Sequence, residues 1–153
     1  MLLTESNNMF TLGAMLSQEK QNNPAYRFGW YHLPMILYAA AIIAVSSIPD
    51  LHTPQVRMFA FDKLAHFAEY AIFAAIVFRS FSNFRKFIPT NRAFLFAALF
   101  VAVFAAFDEY YQHFIPGRFS SAADAVADFI GAMLVLAFFE LRRRRLAARK
   151  QGR

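Results

Sequence analysis

Four long runs dominated by apolar residues, at 31–48, 62–81, 93–114 and 122–141, alternate along the chain with short polar segments. Each approaches the ~17–25 residues a helix needs to cross the hydrocarbon of a bilayer. The pattern predicts four membrane-spanning helices, and the short connections predict that they pack in sequence as an up-down bundle. Trp30 and Tyr31 open the first run as an interfacial aromatic pair, Pro34 falls in its predicted first turn, and Pro49 closes it. Ala68, Ala71, Ala74 and Ala75 in the second run, and Ala97, Ala98, Ala102, Ala105 and Ala106 in the third, predict close approach of helix backbones. The organisation expected is a polar N-terminal tail at 1–30, an all-α transmembrane domain at 31–141 and a basic tail at 142–153.

Composition strengthens the membrane reading. Hydrophobic residues make up 58% of the 153 positions, 20 of them Phe, above the roughly 45–50% usual for soluble domains. With no cysteine, disulfides and thiolate metal sites are excluded. The opening residues lack a basic segment followed by a cleavage site, so no removable signal peptide is expected.

Charge orients the bundle. Thirteen of the 16 Lys and Arg residues lie in the N-terminal tail (Lys20, Arg27), the second connection (Arg79, Arg85, Lys86, Arg92) or the C-terminal tail (Arg142, Arg143, Arg144, Arg145, Arg149, Lys150, Arg153). Only Arg57, Lys63 and Arg118 fall in or beside the other two connections. The positive-inside bias therefore predicts both termini in the cytoplasm. The arginine run at 142–145 reads as a stop-transfer anchor, and no nucleic-acid partner is expected.

Against this background, Asp62, Glu69, Asp108, Glu109, Asp124 and Asp128 fall inside the predicted spans. At about 1.5 Å of rise per residue, all six are expected within two turns of the outer face, and no acidic residue near the cytoplasmic one. Asp62, His66 and Glu69 follow i, i+4, i+7 spacing, as do Asp124, Asp128 and Gly131; Asp108 and Gln112 are i, i+4, with Glu109 on the shoulder. Three polar stripes on three helices are best buried against one another. Arg118, in the loop IPGRFSS, is expected to pair two of the carboxylates in fork geometry, and Ser120 or Ser121 to cap the last helix ahead of Asp124. First-turn capping would account for Asp62, Lys63 and Asp124 without a site. Carboxylates deeper in the membrane, Glu69 and Asp128 above all, point to function because charge in hydrocarbon is costly.

Three blocks, DKLAHFAEY at 62–70, DEYYQHFIPGR at 108–118 and SAADAVADFIGA at 121–132, resemble the VanZ-like family of bacterial membrane proteins. The likeness runs from about residue 33 to 139 and leaves residues 1–28 uncovered. It places the family's polar positions on Asp62, Lys63, His66, Asp108, Glu109, Gln112, Arg118 and Asp124. Asp128 departs from the pattern, since the family commonly has Asn there. The resemblance implies a multi-pass protein of the bacterial cytoplasmic membrane. The family is named after a protein associated with low-level resistance to the glycopeptide teicoplanin.

Three functions follow as expectations. The first is a polar pocket at the outer leaflet that binds an amphiphilic ligand such as a lipid, a lipid-linked envelope precursor or a lipoglycopeptide, with Arg118 on an anionic headgroup and His66 and Glu109 as hydrogen-bonding partners. The second is an enzyme on a lipid-linked phosphate or acyl substrate, with His66 as general acid or base, Glu109 or Asp108 positioning it and Arg118 stabilising the reacting oxygen. No nucleophile motif supports it. A metal held by His66 and Glu69 with Asp108, Glu109 and Asp128 is the third, disfavoured because the His-x-x-Glu element occurs once. The expectation is therefore no metal and no cofactor.

Overall fold

The computed structural model describes residues 18–19, 22–49, 59–84, 86–118 and 121–151, and every regular element among them is helical. In chain order these are α1 (Pro24–Arg27), a π-helical turn (Phe28–His32), α2 (Leu33–Ser46), α3 (Phe59–Asn83), a short 3-10 turn (Thr90–Arg92), α4 (Ala93–Gln112) and α5 (Ala122–Gln151). Four stretches are long and apolar enough to cross a membrane: Pro24–Ser46, Lys63–Asn83, Ala93–Gln112 and Ala122–Gln151. The chain is thus an all-α, multi-pass membrane protein, as the hydrophobic pattern predicts.

The first and last helices differ from their predicted limits for local reasons. The first spanning stretch begins at Pro24, not at residue 31, because Asn23 Oδ1 accepts the N–H groups of Ala25 (2.9 Å) and Tyr26 (3.3 Å) and Pro24 occupies the first turn. Pro34 therefore lies in the interior of the helical stretch. The widened turn directly before it closes with a bond from the Leu33 N–H to the Phe28 carbonyl, where the ladder is about to lose a donor. At the other end α5 runs on to Gln151, carrying the basic tail as helix.

The chain divides into two units, Met1–Pro34 and Met35–Arg153. In the first, Tyr26 stacks on Trp30 with ring centroids 6.3 Å apart, and Phe28 tilts against His32 at 6.0 Å.

In the second unit, α3 and α5 run parallel and α4 runs against both. Lys63 meets Asp124, His66 meets Asp128 and Phe78 stacks on Phe139, which fixes the parallel register. Tyr70 opposite Asp108, Phe73 opposite Phe104 and Phe81 opposite Phe100 set the antiparallel one. From Met35 onward, α2 joins this trio through side chains: Tyr38 stacks on Phe73 and donates to the Glu69 carbonyl, while Ile42 is fully enclosed.

The faces of α4 show which solvent the bundle expects. Its buried stripe is Ala93, Ala97, Val101, Ala105, Asp108 and Gln112, whereas Leu95, Leu99, Val103, Phe107 and Tyr110 point outward. Small and polar residues inside with large apolar ones outside is the arrangement of a helix packed in lipid. Gly131 makes the closest approach: a Cβ there would collide with the Phe67 carbonyl of α3. That missing methyl lets α3 and α5 come together beside the polar residues.

Candidate functional site

Polar side chains gather where α3 and α5 begin and where α2 and α4 end. Lys63, one turn into α3, forms an ion pair with Asp124 in the first turn of α5. One turn deeper, His66 Nδ1 lies 3.0 Å from Asp128 Oδ1. Glu109 reaches from α4 to accept the Ser121 N–H at 3.0 Å, and Ser121 Oγ accepts the N–H of Ala123 at 3.1 Å, capping α5. Glu109 thereby joins the loop before α5 to the end of α4.

A second strand of the network runs through α4 toward α2. Asp108 Oδ2 accepts from Tyr70 (3.4 Å) and from Gln112 Nε2 (3.1 Å), and the same Nε2 donates to Ser46 Oγ at 3.1 Å. Beside it, Ser47 Oγ donates to the Ile43 carbonyl at 2.6 Å and lies 2.9 Å from the Tyr111 hydroxyl, which donates to it. Asp108, Gln112, Asp124 and Asp128 are all buried, with Asp128 at 0% exposure and Asp108 at 1%. Glu69 is half-buried beside His66 on the adjoining turn of α3.

Satisfaction of these groups is incomplete. Asp108 Oδ1, Glu109 Oε1 and Asp128 Oδ2 are buried acceptors with no hydrogen-bond partner, and Arg118 Nε is a buried donor with none. A buried polar atom left unpaired costs about 1–3 kcal/mol, more when charged, so four of them close to one network call for a partner that the described residues do not supply.

Three sequence expectations need correction. Arg118 forms no fork with the carboxylates of the described residues: its guanidinium donates from Nη2 to the Val45 carbonyl at 3.4 Å, because the loop, turning through Gly117 at φ 72°, carries it toward the end of α2. His66 is met by Asp128, and not by Glu109 or Asp108 as positioning partner. One acidic residue also stands at the opposite end: Glu140 is buried in α5 and accepts from Arg143 (2.7 Å, twice) and Arg144 (2.7 Å). Its i, i+3, i+4 spacing to those arginines was legible in the chain.

Asp62 belongs to α3, but its side chain lies outside the described residues, as does Ser120. Tyr70, Ser46, Ser47 and Tyr111 were missed. Tyr70 has a sequence signal, since it stands four residues after His66 on the same polar stripe; the two serines end an apolar run and carry none.

Two surface hollows of about 390 Å³ lie elsewhere, one lined by Ala75, Ile76, Phe78 and Phe139, the other by Phe138, Leu141, Arg142, Arg145 and Arg149. Neither is lined by the polar cluster.

Comparison with known proteins finds a family model described as VanZ/LLP1 that matches residues 8–143. The match takes in most of the N-terminal extension that the motif resemblance leaves uncovered. No curated protein and no solved structure matches.

Proposed function

The chain belongs to the VanZ/LLP1 family, and from that premise we propose that it works in the bacterial cytoplasmic membrane by holding the headgroup of an amphiphilic ligand at the outer-leaflet end of its bundle. The ligand class is a lipid, a lipid-linked envelope precursor or a lipoglycopeptide, which connects the protein to the response to glycopeptides such as teicoplanin. The observation that carries this reading is the set of buried, partnerless atoms beside one network: acceptors on Asp108, Glu109 and Asp128 and a donor on Arg118. Hydroxyl or ammonium donors of a sugar-bearing or amine-bearing headgroup match the acceptors, and a phosphate or carboxylate matches Arg118. Acyl chains would lie along the exposed apolar faces of α4 and α5, where Leu99, Val103, Phe107, Val126, Phe129 and Ile130 stand outward.

Co-purifying lipids identified by native mass spectrometry test this. The wild-type protein should retain one headgroup class above its share of the bulk membrane, and Arg118→Ala and His66→Ala should each lose it. A lipid profile that mirrors the bulk membrane in the wild type rejects the reading.

The His66–Asp128 pair supports a second reading, an enzyme acting on a lipid-linked phosphate or acyl substrate. A carboxylate oxygen 3.0 Å from Nδ1 fixes the orientation of the ring, as a general acid or base requires. Reconstituted protein that leaves lipid-phosphate and lipid-linked sugar substrates intact disposes of it.

A further inference from the structure

We propose that His66, Glu109 and Asp128 together hold a divalent transition-metal cation of the Zn2+ or Mn2+ type. One ligand atom from each of the three lies within 4.8 Å of the others. Each comes from a different helix: His66 from α3, Glu109 from α4 and Asp128 from α5. Of the five residues the sequence offered as ligands, His66, Glu109 and Asp128 come together and Glu69 and Asp108 are not part of the group, so the site does not depend on the His-x-x-Glu element. The objection from an unrepeated motif therefore falls away.

Two observations independent of the clustering point to a cation. Glu109 Oε1 and Asp128 Oδ2 are buried acceptors without a partner, although the other oxygen of each carboxylate is engaged, by the Ser121 N–H and by His66. A metal ion can take the free Glu109 oxygen while the other keeps the Ser121 N–H, and can replace the proton shared between His66 Nδ1 and Asp128 by bonds to both residues. Charge balance points the same way. Lys63 pairs with Asp124 and Arg118 is turned toward the Val45 carbonyl, so among the described residues the hydrogen-bond partners of Asp108, Glu109 and Asp128 are neutral donors and one imidazole. A 2+ ion held by an imidazole and two carboxylates gives a neutral centre, which suits a membrane interior where unbalanced charge is costly.

The chemistry of the donors selects the ion. An imidazole nitrogen beside two carboxylates suits first-row transition metals, whereas Ca2+ and Mg2+ favour oxygen-only shells. His66 and Asp128 are already in contact at 3.0 Å and a Glu109 ligand atom lies within 4.8 Å of both, so bonds of about 2 Å to one ion need only a small inward shift of the three side chains. Three protein ligands leave positions open for water or for a phosphate or carboxylate oxygen. The site stands whether or not a headgroup binds.

Titrating metal-stripped, detergent-solubilised full-length protein with Zn2+, Mn2+, Mg2+ and Ca2+ alone tests the assignment. One Zn2+ or Mn2+ per chain should bind, with Mg2+ and Ca2+ weaker, and the unfolding temperature should rise with metal concentration because three helices become linked. Asp128→Asn and Glu109→Gln should weaken binding by at least about 100-fold, the upper range for loss of an outer-shell partner, while Glu140→Gln at the other end of α5 keeps wild-type affinity. If those variants do not fold, the visible d–d bands of Co2+-loaded wild type and their removal by EDTA decide. A folded wild type that binds no transition metal and shows no Co2+ bands overturns the proposal, as does binding that survives Asp128→Asn or prefers Ca2+.

Discussion

The start of α5 holds an exchange of roles that residue spacing alone does not reveal. Ser121 and Asp124 stand at N-cap and N3, the spacing of a capping box, in which the N3 side chain would turn back to the N-cap N–H. Here Glu109 takes that N–H from another helix, and Asp124 is released to pair with Lys63. Both members of this pair are largely enclosed, at 18% and 5% exposure, so removing one strands the other. Lys63→Met should cost on the order of 3 kcal/mol, read as a lowered midpoint of unfolding in detergent. The double variant Lys63→Met/Asp124→Leu should recover most of the loss. Equal loss in the single and double variants would mean that the pair carries no coupling.

Gly131 and the helix it serves decide how the site is assembled. In most helix interiors replacing glycine by alanine gains about 1 kcal/mol. At Gly131 the added methyl meets the Phe67 carbonyl, and the sign reverses. Gly131→Ala should destabilise the protein by about 1–3 kcal/mol through overpacking and should weaken whatever binds at His66 and Asp128, since α3 and α5 must part. A more stable Gly131→Ala variant with unchanged ligand retention would refute this. The far end of α5 has its own fastening: Glu140 gathers Arg143 and Arg144 onto one turn, so the basic tail continues as helix instead of fraying.

For the whole molecule, the polar network occupies one end of the second unit and the arginine-bearing stretch of α5 the other. From the positive-inside bias we propose that the arginine end faces the cytoplasm. Because the chain has no cysteine, single-cysteine variants report orientation without background. A membrane-impermeant maleimide should label Phe114→Cys in intact cells and leave Ala148→Cys unlabelled until the membrane is opened. The reverse pattern would put the polar network on the cytoplasmic side and remove the outer-leaflet ligand from consideration.

Run length and apolar content determined the class of this protein and the number of its spanning helices, because a bilayer imposes its thickness on the chain whatever the helices touch. Helical periodicity also placed His66, Glu109 and Asp128 on stripes able to meet. Their pairing was beyond its reach, since the periodicity of one helix carries no information about its rotation or register against the next. Packing decided that: the bare backbone at Gly131 sets the approach of α3 to α5, which gives His66 to Asp128 and Lys63 to Asp124. The same packing turned Arg118 to a carbonyl and left carboxylate oxygens without partners, because a side chain's partner is whichever group the assembled helices bring within reach.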